Sequence, residues 1–277
     1  MFNTNSNVQY NKLPFPHIII ENFFTDDFYF ELEKNFPKSD KFLENENKVG
    51  RMHGDTTFGD TLYNNLLNNS KAYNSLHNWV YSDNFIKLFI NFFANEFQYQ
   101  DDLLYNPKEF DLVSKPVEIG SVFNNYNFEK QKIKPFVYSR LDIGYGGKNY
   151  GVDTGGRGPH IDNPQRIISI LFYVGGFKKI TGGQHRLYKI STKKDELEVC
   201  KTYEPKRNSL IASLQNNFAF HDVNPITDID GQRNAFYLAI SSSKRIWRPS
   251  VRNYINKKFN KNRVENSFLN KLLNIFS

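Results

Sequence analysis

The stretch GPHIDNPQRIISILFYVGG, residues 158–176, places a histidine and an aspartate just before a long run of β-forming residues. Side chains alternate between the two faces of a β-strand, so His160 and Asp162, two residues apart, point to the same side. Both side chains are good metal ligands. The run behind them is apolar on both faces, which predicts a strand that is covered on both sides.

Short β-rich runs dominate the chain from about residue 115 to residue 241. Clusters of Gly, Pro, Asn and Asp separate them, and the helical periodicity of the earlier residues is gone. The predicted strands are 117–123, 135–143, 157–162, 166–174, 184–191, 197–203, 208–214, 218–223 and 233–241. Many short strands without intervening helices indicate a β-sandwich or jelly roll. We therefore expect an α+β chain with a mainly β core.

The first 115 residues carry the predicted helices. His17–Glu21 predicts a short strand, and the helix after it could be capped by Thr25 or Asp26 and ends before Pro37. Apolar residues at helical spacing predict further helices over 60–78 and 83–97. We expect their apolar faces to pack against the core.

The last residues, 251–277, combine basic side chains with an apolar stripe at helical spacing. Such a helix can bind a membrane surface, but packing on the outside of the sheet is the commoner use of this pattern. The expected organisation is one structural domain. It comprises an N-terminal strand and helical support region (1–115), a β core (116–250) and a basic amphipathic C-terminal helix (251–277).

Composition limits the class of protein. The chain has 277 residues, of which 16% are aromatic, enough for a full-sized core. Its single cysteine, Cys200, excludes an intramolecular disulfide and a cysteine-rich zinc site. Without a signal-like N-terminus or a long apolar run, we expect a cytoplasmic protein with no transmembrane segment. The net charge of +7 would suit an anionic partner such as nucleic acid, although the lysine-rich tail could account for it.

A third metal ligand can come from a later strand. The segment NNFAFHDVNP places His221 at the end of a β-like run, and GQRNAFYLAIS places Arg233 at the start of the next. Two imidazoles and a carboxylate form the facial triad of non-haem iron(II) oxygenases, which leaves positions open for other ligands. An arginine nearby can hold a distal carboxylate through two charge-assisted hydrogen bonds. The pattern predicts a metal site of His160, Asp162 and His221.

With these motifs in this order, the sequence resembles the 2-oxoglutarate- and iron(II)-dependent oxygenases, in particular their prolyl-hydroxylase-like branch. The resemblance covers roughly residues 136–241, and PFPHIIIENFF (14–24) is similar to the opening strand of many members. It implies a double-stranded β-helix, a jelly-roll or cupin-like fold with N-terminal helices on one sheet. It also implies that His160, Asp162 and His221 bind iron and that Arg233 binds the far carboxylate of 2-oxoglutarate. The implied cofactors are Fe(II), 2-oxoglutarate and O2, with ascorbate as a reductant.

The resemblance and the strand period together assign the wall of the site. HIDNP followed by RIISILFYV is similar to the prolyl-hydroxylase pattern in which a tyrosine also bonds to the far carboxylate, and Tyr173 stands at that position. Ser169 and Leu171 share its face of the strand, and Val223 follows His221 by two residues on another. The expected cosubstrate-binding residues are Arg233, Tyr173, Ser169, Leu171 and Val223. The other face should pack against helices through Ile168, Ile170 and Phe172.

Some of these assignments have alternatives. The segment from His221 to Arg233 is longer than in the closest prolyl-hydroxylase pattern, and Arg245 and Arg248 lie beyond it. The glycine-rich segment 142–158 could be a lid over the substrate or a plain surface loop.

The remaining polar residues have weaker patterns. Arg140 or Tyr138 could also face the pocket. The other histidines have no ligand-spaced partner, and we expect them to be structural or surface residues. They are His17, His53, His77 and His185.

The implied reaction hydroxylates a C–H bond while 2-oxoglutarate is converted to succinate and carbon dioxide. Asp162 favours hydroxylation, because halogenating relatives carry a small residue in place of this carboxylate. The resemblance favours a peptidyl proline or a free amino acid as substrate, and another small metabolite stays open. Nucleic acid is not favoured, because dealkylating relatives carry a second arginine where Ala239 stands here.

Two other functions remain open from the residues alone. The chain could be a non-catalytic jelly-roll protein that binds a metal ion. It could also be a metal-dependent hydrolase, since zinc accepts two histidines and an aspartate. The oligomeric state is not determined by any pattern in the sequence.

Overall fold

The structure is a computed structural model that describes residues 1–38, 51–53, 61–116, 134–146, 158–191 and 196–248. Its helices precede most of its strands. The helices are α1 (Asp26–Lys34), α2 (Thr61–Asn69), α3 (Lys71–Val80) and α4 (Asp83–Phe92), followed by single 3-10 turns at Phe97–Tyr99 and Pro107–Glu109. The strands are β1 (Asn7–Asn11), β2 (His17–Glu21), β3 (Arg51–His53), β4 (Asp111–Val113), β5 (Phe136–Gly146), β6 (Arg166–Thr181), β7 (His185–Ser191), β8 (Glu196–Tyr203), β9 (Ser209–Leu214), β10 (His221–Val223) and β11 (Asp228–Ser242).

Two sheets form the β core. The larger has the order β1–β2–β9–β6–β11–β5–β3, and β4 pairs with β5 in parallel at its edge. The smaller has the order β10–β7–β8 and is antiparallel. A backbone bridge between His160 and His221 adds the segment at His160 to the free side of β10. The prediction of a mixed chain with a mainly β core is confirmed.

One hydrophobic core lies between the helices and the large sheet. Ile168, Ile170 and Phe172 of β6 pack there with Phe85 and Phe89 of α4. The polar faces of the helices point outward, and Ser70 and Ser82 cap α3 and α4 by accepting a hydrogen bond from a backbone N–H three residues later. The predicted packing of N-terminal helices on one sheet is therefore confirmed.

A second core lies between the two sheets. We call it the inter-sheet cluster; it consists of Phe15, Ile19, Leu171, Tyr173, Leu187, Ile211, Ala219 and Ala235. Leu187 belongs to the small sheet, and Leu171, Ile211 and Ala235 belong to the large one. The apolar character of both faces of β6 has a simple cause, since one face packs on helices and the other faces the small sheet.

Several predicted boundaries are wrong. Residues 60–78 form two helices, because Ser70 ends one and caps the next. The helix predicted over 83–97 stops at Phe92, whereas β6 continues to Thr181 and β11 begins at Asp228. Of the strand predicted over 157–162, the structure shows a single bridge at His160.

Other predictions concern residues beyond the structure. The strand 117–123, residues 147–157 of the glycine-rich segment and the C-terminal helix 251–277 lie outside the described residues. Residues 142–146 of that segment belong to β5. Strands β1, β3 and β4 were not predicted. None of the helices in the described ranges has the length and apolar character needed to span a bilayer.

Candidate metal and carboxylate site

The three predicted metal ligands meet beside the inter-sheet cluster. His221 opens β10 on the same face as Val223, which packs on that cluster. The backbone bridge places His160 next to His221, and Asp162 follows two residues later. One ligand atom from each side chain lies within 4.8 Å of the other two. This is the donor set of a facial triad, two imidazoles and one carboxylate.

Each ligand imidazole is oriented by a backbone carbonyl two residues earlier in the chain. His160 Nδ1 lies 3.0 Å from the Gly158 oxygen, and His221 Nδ1 lies 3.0 Å from the Ala219 oxygen. A carbonyl oxygen can only accept, so the hydrogen of the neutral ring resides on Nδ1 and the lone pair on Nε2. The two Nε2 atoms are therefore available as ligands for a metal ion, on rings whose centroids are 4.7 Å apart.

The two oxygens of Asp162 have different neighbours. The Ser169 hydroxyl donates to Oδ2, and Arg166 Nε lies 3.9 Å from the same oxygen. Oδ1 lies 4.0 Å from His221 Nε2. Burial acts to raise the pKa of this carboxyl, but the neighbouring cations, His221 when protonated and Arg166, outweigh burial and hold the pKa well below its ordinary value. Asp162 is thus ionised at neutral pH, with Oδ1 toward the histidines.

Arg233 is a buried cation on β11. Its side chain is 2% exposed, Nη1 donates to the Gly183 carbonyl at 3.0 Å, and Nη2 donates to the Tyr237 hydroxyl oxygen at 3.4 Å. No carboxylate pairs with it among the described residues. A buried charge without an opposite partner is costly, so this position suits an anionic ligand.

The backbone opposite Arg233 leaves room for the guanidinium. Gly146 lies opposite Arg233 in the pairing of β5 with β11, and a Cβ there would lie 3.2 Å from Nη2. The long segment between His221 and Arg233 is mostly strand. Its extra residues are absorbed by irregular pairing between β6 and β11 near Gly231 and Asn234.

Tyr173 lies beside Arg233, as expected from the sequence. The guanidinium carbon is 6.0 Å from the centre of its ring. Neither the Tyr173 hydroxyl nor Arg233 Nε has a hydrogen-bond partner within the part of the chain that the structure describes. Burial raises the pKa of Tyr173, against the effect of Arg233, so the hydroxyl keeps its hydrogen as a donor. An unmet buried donor costs about 1–3 kcal/mol, and a carboxylate could satisfy both.

His185, expected from the sequence to be a structural or surface residue, is a buried histidine beside the candidate site. It opens β7, is buried, and its ring centroid lies 5.6 Å from that of His221. Burial, with the neighbouring His221 and Arg233, holds the pKa of His185 well below its ordinary value, so the ring is neutral. The two-residue alternation of β7 could have indicated that His185 faces the core, because it places His185 on the same face as Leu187.

The other predicted wall residues take different positions. Leu171 belongs to the inter-sheet cluster, and Val223 packs against it from the small sheet. Ser169 shares their side but contacts the Asp162 carboxylate. In the large sheet, Ala239 lies opposite Arg140 on β5 and opposite Ser169 on β6. Arg140 therefore points to the same side of the sheet as Ser169, and its Nε donates to Asp142 Oδ1 at 2.8 Å.

The alternatives to Arg233 lie elsewhere. Arg245 and Arg248 follow the far end of β11, and Arg248 is exposed. His17 is a core histidine with both nitrogens satisfied, Nδ1 donating to the Phe15 carbonyl and Nε2 accepting from the Tyr203 hydroxyl. The structure thus brings together His160, Asp162, His221, Arg233 and Tyr173, whereas Arg245 and Arg248 lie beyond the far end of β11.

Comparison with known proteins finds structural likeness only. No protein-family model matches the chain, and no curated protein matches it. A prolyl 4-hydroxylase from Phytophthora capsici is 14% identical with a TM-score of 0.45, over 81% of this chain and 58% of that one. A prolyl hydroxylase from Trichoplax adhaerens, solved with a hypoxia inducible factor peptide fragment, is 14% identical with a TM-score of 0.40, over 86% of each chain.

A third similar structure is the viral collagen prolyl hydroxylase of Paramecium Bursaria Chlorella virus-1 in its 2-oxoglutarate complex. It is 11% identical with a TM-score of 0.39, over 81% of this chain and 94% of that one. The chain spans 50% to 58% of the length of three of the similar proteins. These neighbours are the oxygenases that the sequence resembles. At such identities and TM-scores the likeness does not assign an activity, so the assignment depends on the side chains of the site.

Proposed function

We propose that this protein is a 2-oxoglutarate- and iron(II)-dependent dioxygenase that hydroxylates a C–H bond. The observation that carries the proposal is the pairing of two features on one side of the large sheet. His160, Asp162 and His221 form a set of metal ligands, and the Arg233 cation lies buried nearby without a carboxylate of the described chain to neutralise it. A metal chelator with a distal carboxylate would bind to the metal ion at one end and to Arg233 at the other.

The donor atoms fit both absent groups. Two neutral imidazole Nε2 atoms and an ionised carboxylate suit Fe(II), which when bound would supply the activation of oxygen and the oxidation of the cosubstrate. Arg233 and Tyr173 would bind the far carboxylate of 2-oxoglutarate, with Leu171 and Val223 as apolar walls. Ser169 would hold Asp162 by hydrogen-bonding to Oδ2, leaving Oδ1 for the metal.

We also infer that the core is a double-stranded β-helix. Its large sheet would be β5–β11–β6–β9, and its small sheet would be the His160 segment followed by β10, β7 and β8. Consecutive strands then alternate between the sheets in several places, as β6 to β7 and β9 to β10 to β11 do. The division at residues 115 and 250 and the role of 251–277 stay predictions.

The substrate class follows from the sequence resemblance alone. A peptidyl proline or a free amino acid is the first choice, and another small metabolite is the second. A nucleic-acid substrate is disfavoured because Ala239, buried on the inward face of β11, stands where dealkylating relatives have arginine.

The decisive experiment measures succinate from 2-oxoglutarate with added Fe(II) and ascorbate. The natural protein is expected to release succinate, and His160→Ala is expected to release none and to lose bound iron. His77→Gln is the matched control, since His77 lies in the helical layer, where its Nδ1 bonds to the Tyr63 hydroxyl; it should behave as the natural protein does. Unchanged turnover in His160→Ala would exclude the proposed centre.

Binding measurements separate the other two functions. A non-catalytic metal protein would bind iron or zinc through the triad but would not bind 2-oxoglutarate. A hydrolase would bind zinc in preference and show no dependence on 2-oxoglutarate. Metal content and 2-oxoglutarate affinity measured on the same sample therefore distinguish the three.

A further inference from the structure

His185 lies between the two halves of the candidate site. Its strand, β7, is the middle strand of the small sheet, and His185 pairs with Val223 on one side and with Tyr203 on the other. On one flank, its ring is 5.6 Å from the ring of His221. On the other flank, the carbonyl of Gly183, two residues earlier, accepts from Arg233 Nη1 at 3.0 Å. The imidazole therefore lies alongside a ligand that would reach from the metal ligands to Arg233.

The hydrogen bonding of His185 departs from that of the other histidines in this region. His17, His160 and His221 each use Nδ1 to donate to the carbonyl two residues earlier, which belongs to Phe15, Gly158 and Ala219 respectively. For His185 the corresponding carbonyl is that of Gly183, and Arg233 occupies it. His185 Nδ1 is left buried with no hydrogen-bond partner among the described residues, in a side chain that is 7% exposed.

Three buried donors in this part of the site have no hydrogen-bond partner among the described residues. They are the Tyr173 hydroxyl, Arg233 Nε and His185 Nδ1. Buried polar groups are nearly always hydrogen-bonded in folded proteins. The Tyr173 ring lies 6.0 Å from the Arg233 guanidinium carbon, and Arg233 binds the carbonyl two residues before His185, so three exceptions around this one guanidinium indicate a missing acceptor. A carboxylate has two oxygens and about four acceptor positions, enough for all three.

We propose that His185 is a third binding residue for the cosubstrate, donating from Nδ1 to the same far carboxylate that Arg233 and Tyr173 bind. This inference rests on the proposed function, since it takes 2-oxoglutarate as the ligand. It assigns His185 a role in affinity and in the choice of a dicarboxylic 2-oxo acid over a monocarboxylic one. Metal binding would remain with His160, Asp162 and His221.

The test is a direct measurement of binding by calorimetry under anaerobic conditions, with Fe(II)-loaded protein. His185→Leu removes the donor and is expected to bind 2-oxoglutarate about 10- to 100-fold more weakly, the loss of one hydrogen bond to a charged group. His185→Asn keeps an N–H donor close to the position of Nδ1 and is expected to restore most of the affinity. The affinity for Fe(II) alone should be the same in all three proteins.

A shortened ligand locates the hydrogen bond. 2-Oxobutyrate has the metal-chelating end but no far carboxylate, so His185→Leu should leave its affinity unchanged. Equal weakening of both acids would overturn the proposal, because His185 would then act at the metal end. Unchanged binding of 2-oxoglutarate in His185→Leu would overturn it as well.

Failure of the proposed function has a different signature. If the natural protein with bound Fe(II) does not bind 2-oxoglutarate, the dioxygenase assignment is wrong and the role of His185 falls with it. If His185→Leu does not fold, as judged by its melting curve without ligand, His185→Gln replaces it. Its donor extends to the position of Nε2, so weakened binding supports the proposal and natural affinity contradicts it.

Discussion

Replacing Arg233 with methionine should separate ligand affinity from stability. The guanidinium is 2% exposed and has no carboxylate partner among the described residues. If it holds the far carboxylate of 2-oxoglutarate by two charge-assisted hydrogen bonds, its loss removes about 3–6 kcal/mol of binding free energy. The dissociation constant of 2-oxoglutarate should then rise by about 10²- to 10⁴-fold.

The same substitution should leave the unliganded protein at least as stable as before. Arg233→Met loses the hydrogen bonds to the Gly183 carbonyl at 3.0 Å and the Tyr237 hydroxyl at 3.4 Å, worth about 1 kcal/mol each. It also removes a buried charge whose burial costs several kcal/mol. Methionine is unbranched and fills the space of the arginine stem.

Two measurements on each protein test this reasoning. Calorimetry gives the affinity for 2-oxoglutarate with Fe(II) bound, and urea unfolding without ligand gives the stability. Arg233→Lys keeps the charge but not the planar fork, and it should bind with intermediate affinity. If Arg233→Met binds 2-oxoglutarate as the natural protein does, Arg233 is not the anchor. If it is instead several kcal/mol less stable, the residue is structural.

Three further substitutions and conditions have defined outcomes. Ser169→Ala removes the donor to Asp162 Oδ2 and should weaken Fe(II) binding about 10- to 100-fold. The control is Ser213→Ala, which changes the buried serine paired with Ser169 and should leave Fe(II) binding unchanged. Equal iron affinities in both variants would contradict the role of Ser169. Asp222→Asn breaks the ion pair with Arg186, whose hydrogen bonds measure 2.8 and 2.6 Å, and weakens the hydrogen bond from Tyr188. Urea unfolding should show that the free energy of unfolding falls by about 3 kcal/mol. A fall below about 1 kcal/mol would mean that the ion pair does not hold β10 to β7. Burial lowers the pKa of His17 below that of an exposed histidine, so its stabilising contribution is present above about pH 6.5 and falls by up to about 1.4 kcal/mol per pH unit below it. Unfolding at pH 7.5 and 5.5 should therefore show a smaller difference in His17→Leu than in the natural protein, and equal differences would refute the assignment.

Local patterns predicted the parts of the site that depend on strand alternation. The two-residue period of β6 correctly separated Leu171 and Tyr173 from Ile170 and Phe172, since a side chain's face is decided within the strand. The sequence order of His160, Asp162 and His221 also led to residues that meet in space. Their roles as ligands stay predictions until metal binding is measured.

Features that depend on pairing between distant segments were not accessible from the sequence. The position of Arg233 depends on irregular pairing of β6 with β11 around Gly231, and no local pattern specifies that register. The edge strand β1 was missed because it is short and its two apolar residues, Val8 and Tyr10, alternate with Asn and Gln and do not form an apolar run. The break at Ser70 was missed because apolar spacing continues across it, although serine is a common cap.

The carbonyl groups beside His160 and His221 would have a consequence for how the proposed centre takes up an ion. Each neutral ring carries its hydrogen on Nδ1, away from Nε2, and the Asp162 carboxyl is already deprotonated at neutral pH. A divalent cation bound by the two neutral rings and this carboxylate would displace no proton into the buffer. In the proposed centre, uptake would then depend on desolvation of the ion and on closure of three prearranged donors around it.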